Sequence, residues 1–285
     1  MNATTADPRT ESLGRQMLNK VPEVTAYFWI IKVLCTTVGE TAADYLNETL
    51  GFGLYNTTYF MAAALAVVLV FQFRARRYVP GIYWLAVVLI SIFGTLISDN
   101  LVDNYGVALQ TTTIAFTIIL AAVFATWYAS ERTLSIHTIV TTRREAFYWL
   151  AVLFTFALGT SAGDLFAEQL GLGYFVSLLI FAGMIGAVAL AHFRFGMNAV
   201  LAFWIAYILT RPLGASIGDL MSQKTKHGGF GLGTTLTSAV FLGTILALVI
   251  YLSRTRVDET PPQEVADAEA RIGGRLAPAL DQASG

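Results

Sequence analysis

Charged residues and cysteine are scarce in this 285-residue sequence. Asp, Glu, Lys and Arg together make up 13% of it, and the only cysteine is Cys35. One cysteine excludes a disulfide framework and a thiolate metal cluster. The three histidines, His137, His192 and His227, lie in or near predicted connections between helices. No H-E-x-x-H motif and no nucleophile elbow occur, so the sequence does not predict an enzyme.

Long apolar runs are what the sequence has in abundance. Hydrophobic residues account for 55% of the chain, and the mean hydropathy is +0.61. A helix needs about 20 residues to cross ~30 Å of hydrocarbon. Eight runs are candidates: 26–46, 57–73, 82–100, 111–130, 146–168, 174–191, 198–220 and 234–251. Because lipid cannot satisfy exposed backbone groups, we predict an all-α membrane protein with eight transmembrane helices.

The chain is predicted to hold one transmembrane domain, residues 21–256, between two short ends. Residues 1–20 are polar and lack a signal-peptide pattern. Residues 257–285 are predicted to form a disordered tail. The Lys and Arg residues outside the apolar runs cluster before the first run and after the even-numbered ones, although Lys224 and Lys226 follow the seventh. The positive-inside rule therefore places both termini in the cytoplasm.

Four copies of one pattern, W-x9-G-x4-D, occur in the sequence. Each tryptophan follows Phe or Tyr, and a glycine and an aspartate come ten and fifteen residues after it. The tryptophans are Trp29, Trp84, Trp149 and Trp204, the glycines Gly39, Gly94, Gly159 and Gly214, and the aspartates Asp44, Asp99, Asp164 and Asp219. Chance does not plausibly place twelve such residues in register, so the chain is interpreted as a fourfold internal repeat.

The repeats span about residues 22–78, 79–142, 143–197 and 198–256. Each contains two apolar runs, which predicts a two-helix hairpin, and all four hairpins point the same way. They are therefore parallel repeats related by an axis along the membrane normal. We expect the odd helices, which carry the motif, to pack around that pseudo-symmetry axis and the even helices to face lipid.

The aromatic-Trp helices end in "TTVGETAAD", "FGTLISD", "LGTSAGD" and "LGASIGD". Over about residues 22–256 this pattern resembles an uncharacterised bacterial family of four-repeat membrane proteins, described only as membrane-anchored proteins of unknown function. The resemblance implies the repeat architecture and a multi-pass protein of the bacterial cytoplasmic (inner) membrane. It implies no activity.

The four aspartates are the main candidates for function. Each lies about 22 Å beyond its tryptophan along a helix, so all four are predicted at one depth. Glu40 adds an acid one turn before Asp44, and Lys32 and Arg211 are the predicted charge partners. Charge near the centre of a membrane helix costs about 2.5 kcal/mol or more. Protons, Lys32 and Arg211, or a bound cation could offset that cost.

The ligand types favour a hard cation. The predicted donors are carboxylate, hydroxyl and carbonyl oxygens, which suit Mn²⁺, Mg²⁺, Ca²⁺, Na⁺ or K⁺. We therefore predict a cation transporter, with proton coupling as an option, in which Asp44, Asp99, Asp164, Asp219 and Glu40 bind the cation or exchange protons. The four aspartates are the candidate metal ligands, with Mn²⁺ as the representative ion. A cation channel, and a membrane anchor or regulatory protein with structural aspartates, are the alternatives.

The repeated glycines and tryptophans are predicted to have structural roles. Gly39, Gly94, Gly159 and Gly214 are predicted to allow close helix packing, and the four tryptophans to act as anchors at the membrane interface. The predicted partners are membrane lipid and a small inorganic cation or proton. Nucleic acid is not a predicted partner, and homo-oligomerisation stays open.

Overall fold

The computed structural model describes residues 19–259, and within them lie eight α-helices. In chain order these are α1 Ala26–Asp44, α2 Leu54–Arg74, α3 Pro80–Asp99, α4 Leu109–Glu131, α5 Thr142–Asp164, α6 Gly173–Phe195, α7 Ala199–Ser222 and α8 Thr234–Thr255. They match the eight predicted runs. Most of the predicted N-terminal segment and C-terminal tail lies outside the described residues.

Seven of these helices, α2 to α8, are long and apolar enough to cross a membrane. The helix outside that set, α1, carries Lys32, Glu40 and Asp44 among its apolar residues. The seven apolar helices indicate a multi-pass membrane protein.

Local sequence signals account for where several helices begin. Thr25 and Thr141 cap α1 and α5, since each side chain accepts a hydrogen bond from the backbone N–H three residues later. Asn198 caps α7 in the same way. Pro80 occupies the first turn of α3, where its missing N–H breaks no helical hydrogen bond.

The four odd helices form a closed ring. Helix α1 packs on α3, α3 on α5, α5 on α7, and α7 on α1. The buried residues of α3, α5 and α7 make up 56–67% of their most apolar segments, against 11–28% for the even helices. The odd helices are thus the core of the molecule, and the even helices form its surface.

One glycine from each repeat makes the contacts within this ring. Gly39 faces Ser91, Gly94 faces Phe156, Gly159 faces Arg211, and Gly214 faces Thr36. In every case the facing residue lies three positions before the glycine of the next repeat. The four helices are therefore parallel and in register. A Cβ added to Gly94 would lie 2.8 Å from the Phe156 Cβ, so these crossings require glycine.

The two helices of one repeat are not each other's main packing partners. Each even helix packs mainly on the odd helix of the following repeat: α2 on α3, α4 on α5, and α6 on α7. Helix α8 returns to pack on α1, which closes the circle. The physical reason is that each odd helix already uses two faces to contact its neighbours in the ring. The next even helix covers the apolar outer face that remains.

The odd helices of the first three repeats end in a five-residue π-helical segment directly after the aspartate: Tyr45–Thr49, Asn100–Asn104 and Leu165–Gln169. Gly51, Gly106 and Gly171 then turn the chain, with φ of 66–68°, a backbone conformation that favours glycine. The fourth repeat has no π segment. Its longer connection pairs with the end of α7, for example through Phe230 N–H and the Leu220 carbonyl, 2.6 Å apart.

We call the end where the odd helices begin the Trp end, and the opposite one the Asp end. At the Trp end the Lys20 ammonium lies 2.7 Å from a Glu145 carboxylate oxygen and also donates to the Phe73 carbonyl. Lys20 and Glu145 are both 1% exposed. The Tyr78 hydroxyl donates to Asp258 at 2.6 Å. Both ends of the described chain are therefore fixed to the bundle.

Candidate functional site

The in-register ring brings one aspartate from each repeat to the same level at the Asp end. We call Asp44, Asp99, Asp164 and Asp219 the Asp layer. Asp219 is 8% exposed, and the other three are partly buried. Asp99, Asp164 and Asp219 each lie within electrostatic range of both Asp44 and Glu40. The structure thus assembles the five acids that the sequence singles out.

Further carboxylates continue the acidic surface beyond this layer. Asp103 lies within electrostatic range of Asp99, and Glu168 within range of both Asp164 and Asp219. The Glu168 carboxylate also accepts a hydrogen bond from Tyr174, 3.4 Å away. Asp103 and Glu168 lie in the π segments, whose wider turn the sequence did not predict. The Asp end is consequently acidic from the ring outwards.

Arg211 fills the ring directly below the Asp layer. Its side chain is fully buried, and Nη2 donates to Glu40 Oε2 at 2.8 Å and to Thr160 Oγ1 at 2.7 Å. The same nitrogen donates to Thr95 Oγ1, while Nη1 lies 3.4 Å from the Thr36 carbonyl oxygen. These partners come from α1, α3 and α5. A guanidinium that reaches all three other helices of the ring must lie on its axis.

The partners of Arg211 share one position in the repeat. Glu40, Thr95, Thr160 and Ala215 each stand four residues before the aspartate of their repeat. Three of these four side chains bind the guanidinium, and the fourth, Ala215, lies on the arginine's own helix. Thr95 was not predicted from the sequence, although aligning the four repeats on their aspartates would have identified it.

Lys32 lies on the axis farther toward the Trp end. Its Nζ is 4.1 Å from the Phe156 ring centroid and 4.2 Å from that of Tyr207. Lys32 is 1% exposed, and its Nζ has no hydrogen-bond partner among the described residues. The predicted pairing with Glu40 or Asp44 is therefore wrong for Lys32. Arg211 forms the ion pair with Glu40, and the Lys32 amine lies against the Phe156 and Tyr207 rings instead.

Aromatic residues close the ring at the Trp end. Tyr83 and Tyr148 are fully buried and their hydroxyls are hydrogen-bonded to each other. Phe28 packs on both Trp84 and Tyr207, with ring centroids 5.7 and 6.3 Å apart. Large side chains thus fill the space between the helices at the level where the odd helices begin.

The interpretation of the tryptophans as interface anchors is wrong for three of the four. Trp84, Trp149 and Trp204 are buried at 4% exposure or less. Trp84 Nε1 donates to the Tyr78 hydroxyl at 3.1 Å, and Trp204 Nε1 donates to the Leu134 carbonyl at 2.9 Å. The rings pack between helices because neighbouring repeats supply aromatic partners at the same level.

Residues 19–259 hold no group of three or more His, Cys, Asp or Glu side chains arranged to bind a metal ion. The Asp layer therefore surrounds the axis without forming a closed coordination sphere. Arg211 is the permanent positive charge below it. This arrangement can attract a cation that keeps part of its water shell, or it can hold protons.

Comparison with known proteins gives a family but no activity. No curated protein and no solved structure matches the chain. The family model that does match is described as a Repeat of Unknown Function (DUF347), and it matches four times, at residues 27–78, 82–133, 147–198 and 202–258. The four matches follow the four W-x9-G-x4-D copies, and they confirm the predicted fourfold repeat and the resemblance to an uncharacterised family. The chain belongs to the DUF347 repeat family.

Proposed function

We propose that this protein is a cation transporter of the bacterial cytoplasmic membrane. Its eight helices would cross the bilayer, with the Trp end in the cytoplasm and the Asp end facing outwards. The arginines of the connections support this orientation, since Arg74, Arg76, Arg77, Arg143 and Arg144 all lie at the Trp end.

The observation that carries the proposal is the Asp layer itself. Each repeat contributes one carboxylate to one level of a buried ring, and the ring also holds Glu40. If all five acids ionise, Lys32 and Arg211 leave three negative charges uncompensated, since five minus two is three. A charge costs about 2.5 kcal/mol or more at the centre of a membrane helix, and these aspartates lie toward the helix ends, where the cost is smaller. Polar pairs between membrane helices return only about 0.6 kcal/mol on average, so the acids are poor structural links.

The position of Arg211 supports a carrier over an open channel. The guanidinium occupies the axis and binds three neighbouring helices. Lys32 and the aromatic residues block the same axis toward the Trp end. A cation that enters from the Asp end must therefore stop at the Asp layer until Arg211 moves. Transport would accordingly require a conformational change and would saturate with cation concentration.

A hard divalent cation, with Mn²⁺ as the representative, fits the donors best. Carboxylates and threonine hydroxyls supply oxygen only, and the single cysteine, Cys35, is buried among apolar residues of α1. The absence of a closed coordination sphere among the described residues favours a partly hydrated ion. We therefore propose weak, exchangeable binding, as transport requires.

The test is cation uptake into proteoliposomes by the purified protein. Asp44→Asn, Asp99→Asn, Asp164→Asn and Asp219→Asn are each expected to lower the initial rate about ten-fold or more, equivalent to ~1.4 kcal/mol. Glu131→Gln is the matched control, because Glu131 is an acid at the Trp end that pairs with Arg144 at 2.8 Å. Parental uptake by all four folded Asp variants would contradict the proposal.

Thermal unfolding separates transport from the alternative of purely structural aspartates. A ligand that binds only the folded state raises the melting temperature. We expect Mn²⁺ to stabilise the parent and Glu131→Gln, and to stabilise the Asp variants less. If no hard cation stabilises the parent at any pH, and the Asn variants melt lower than the parent, the aspartates are structural.

A further inference from the structure

The Lys32 amine is the one buried positive group in the ring that lacks a counter-ion or a hydrogen-bond acceptor among the described residues. Glu40 follows it by eight residues on the same helix, which is about 12 Å along the axis. That carboxylate is already bound by Arg211 at 2.8 Å. Lys32 instead contacts the Phe156 ring, on the opposite helix of the ring, and the Tyr207 ring.

Lys32 and Arg211 differ in their surroundings, and lysine and arginine also differ in whether the side chain can lose its proton. A guanidinium keeps its proton in proteins, whereas an amine can gain and lose one. Arg211 is held by four acceptors in a fixed geometry. Lys32 sits between aromatic faces, which stabilise the ammonium by cation–π attraction and also accommodate the neutral amine. The site of Lys32 is thus suited to both protonation states.

A column of tyrosine hydroxyls leads from Lys32 toward the Trp end. It consists of Tyr207, Tyr148 and Tyr83. The Tyr207 hydroxyl lies within electrostatic range of Tyr148 but makes no hydrogen bond of normal geometry, and the Tyr148 and Tyr83 hydroxyls are hydrogen-bonded. A phenol hydroxyl both donates and accepts. Tyr148 and Tyr83 can therefore pass a proton between them directly, whereas Lys32 and Tyr207 must move closer to their acceptors before they transfer one.

Tyr78 lies next to Tyr83 at the edge of the bundle. The Tyr83 and Tyr78 rings pack edge to face with centroids 5.6 Å apart. The Tyr78 hydroxyl donates to the carboxylate of Asp258, which lies beyond the last helix. A carboxylate at this place is a suitable group for exchanging protons with the aqueous phase at the Trp end.

We propose that Lys32 carries the coupling proton of transport and that the tyrosine column connects it to the Trp end. This inference rests on the proposed cation transport. A cation in the Asp layer makes the potential along the axis more positive, so the Lys32 ammonium releases one proton to Tyr207. Tyr207 passes its own hydroxyl proton to Tyr148, Tyr148 passes one to Tyr83, and Tyr83 passes one to Tyr78. The Tyr78 hydroxyl gives its proton to the Asp258 carboxylate, so one ammonium is deprotonated and one carboxylate is protonated. When the cation leaves, the amine regains one proton by the reverse route, and no electron is transferred.

The titratable and charged groups around Lys32 are consistent with this role. On its own helix Cys35 is a neighbour, and on α7 Arg211 and Tyr207 face it. The next titratable groups beyond Tyr207 are Tyr148 on α5 and Tyr83 on α3. None of these groups is a carboxylate that would hold the amine permanently in its charged form.

The experiment measures Mn²⁺ uptake and proton counterflow together, with a pH-sensitive dye inside the proteoliposomes. We expect Lys32→Met and Lys32→Arg to keep the same thermal stabilisation by Mn²⁺ that is expected of the parent. Their proton counterflow should fall to that of protein-free liposomes, and a pH gradient should no longer drive uptake. Lys224→Met, which changes an exposed lysine in a connection, should behave as the parent.

The outcomes separate the two proposals. Parental proton stoichiometry in both Lys32 variants would overturn the role of Lys32 while leaving cation transport intact. If the parent itself shows neither Mn²⁺ stabilisation nor uptake, both proposals fail. Because a Lys32 variant could misfold, the parent supplies a second measurement. The chain has only four lysines, so the ¹⁵Nζ signal of Lys32 can be followed by NMR with Mg²⁺ as a diamagnetic probe. An unchanged protonation state of Lys32 on cation binding would contradict the inference.

Discussion

Repeats one and four differ sharply from repeats two and three, although all four build the same ring. The first and fourth repeats place Lys32, Glu40 and Arg211 on the axis. At the positions equivalent to Lys32 and Arg211, the middle repeats carry Val87 and Val152, and Ser91 and Phe156. The middle repeats contribute the threonines and the phenylalanine that hold the charges. The duplicated pattern therefore specifies the scaffold, and divergence between repeats specifies a single site on its axis.

Removing the charge of the fourth repeat should have the largest effect. Arg211→Met leaves Glu40 and two threonine hydroxyls buried without their partner. Breaking a buried ion pair from one side costs about 3–5 kcal/mol. We expect a correspondingly lower melting temperature in detergent.

The double variant Arg211→Met, Glu40→Gln leaves the first and fourth repeats uncharged at these two positions, as the middle repeats are. It should recover much of the lost stability, because no uncompensated charge remains. A double variant as unstable as Arg211→Met would show that Arg211 stabilises the ring by packing alone.

A change in the shared scaffold should have a smaller effect and should act on packing without touching the charges. Gly94→Ala forces a Cβ against Phe156 and the Ala157 backbone, where contacts of 2.8 and 3.2 Å would result. Overpacking of this kind costs about 1–3 kcal/mol. Gly183→Ala is the matched control, since a Cβ there meets nothing within 4 Å. Equal unfolding temperatures for the two variants would refute the close crossing of α3 and α5.

The smallest effect is expected where repeat four meets the end of repeat one, at Asp258 and Tyr78. Burial raises the pKa of the Asp258 carboxyl, and burial with the neighbouring Asp258 charge raises the pKa of the Tyr78 hydroxyl. An acid whose folded pKa exceeds its unfolded value of about 3.9 favours the folded state most below that pH. Its contribution falls as the pH rises through the folded pKa.

Asp258→Asn should remove this dependence and keep an acceptor for the Tyr78 hydroxyl. We expect a change of at most about 1 kcal/mol, the range of one hydrogen bond. The check is the melting temperature between pH 4 and 8, with Glu259→Gln as a neighbouring control. A parent that becomes more stable over this interval, relative to Asp258→Asn, would reverse the assigned sign.

Much of the fold could be predicted from the sequence, because the length of an apolar run and the register of a repeat are local properties. The eight helices and the four copies follow from residues such as Trp29, Gly39 and Asp44, which recur at fixed spacing. The packing of α2 on α3 rather than on α1 could not be predicted. It depends on which faces the ring has already used, and no local pattern encodes that.

The site was predictable to a similar degree. The acids of the Asp layer follow from the repeat, and so does their common level. The assignment of Glu40 to Arg211 and of Lys32 to two aromatic rings does not, because it depends on side-chain reach across the ring. The π segments after Asp44, Asp99 and Asp164 were also not predictable, since helical propensity does not distinguish them from ordinary helix.

The return of α8 to α1 has a consequence for biosynthesis. Helix α1 is made first and is the one described helix outside the apolar set, yet the groups that cover and neutralise it come from α7 and α8. About 170 residues must therefore be translated after Glu40 before Arg211 is present to pair with it. Until then, the faces of α1 that α7 and α8 cover have no partner helix. Glu40 gains its counter-ion only after α7 has been made, so nascent chains truncated before α7 should be substrates for membrane quality control.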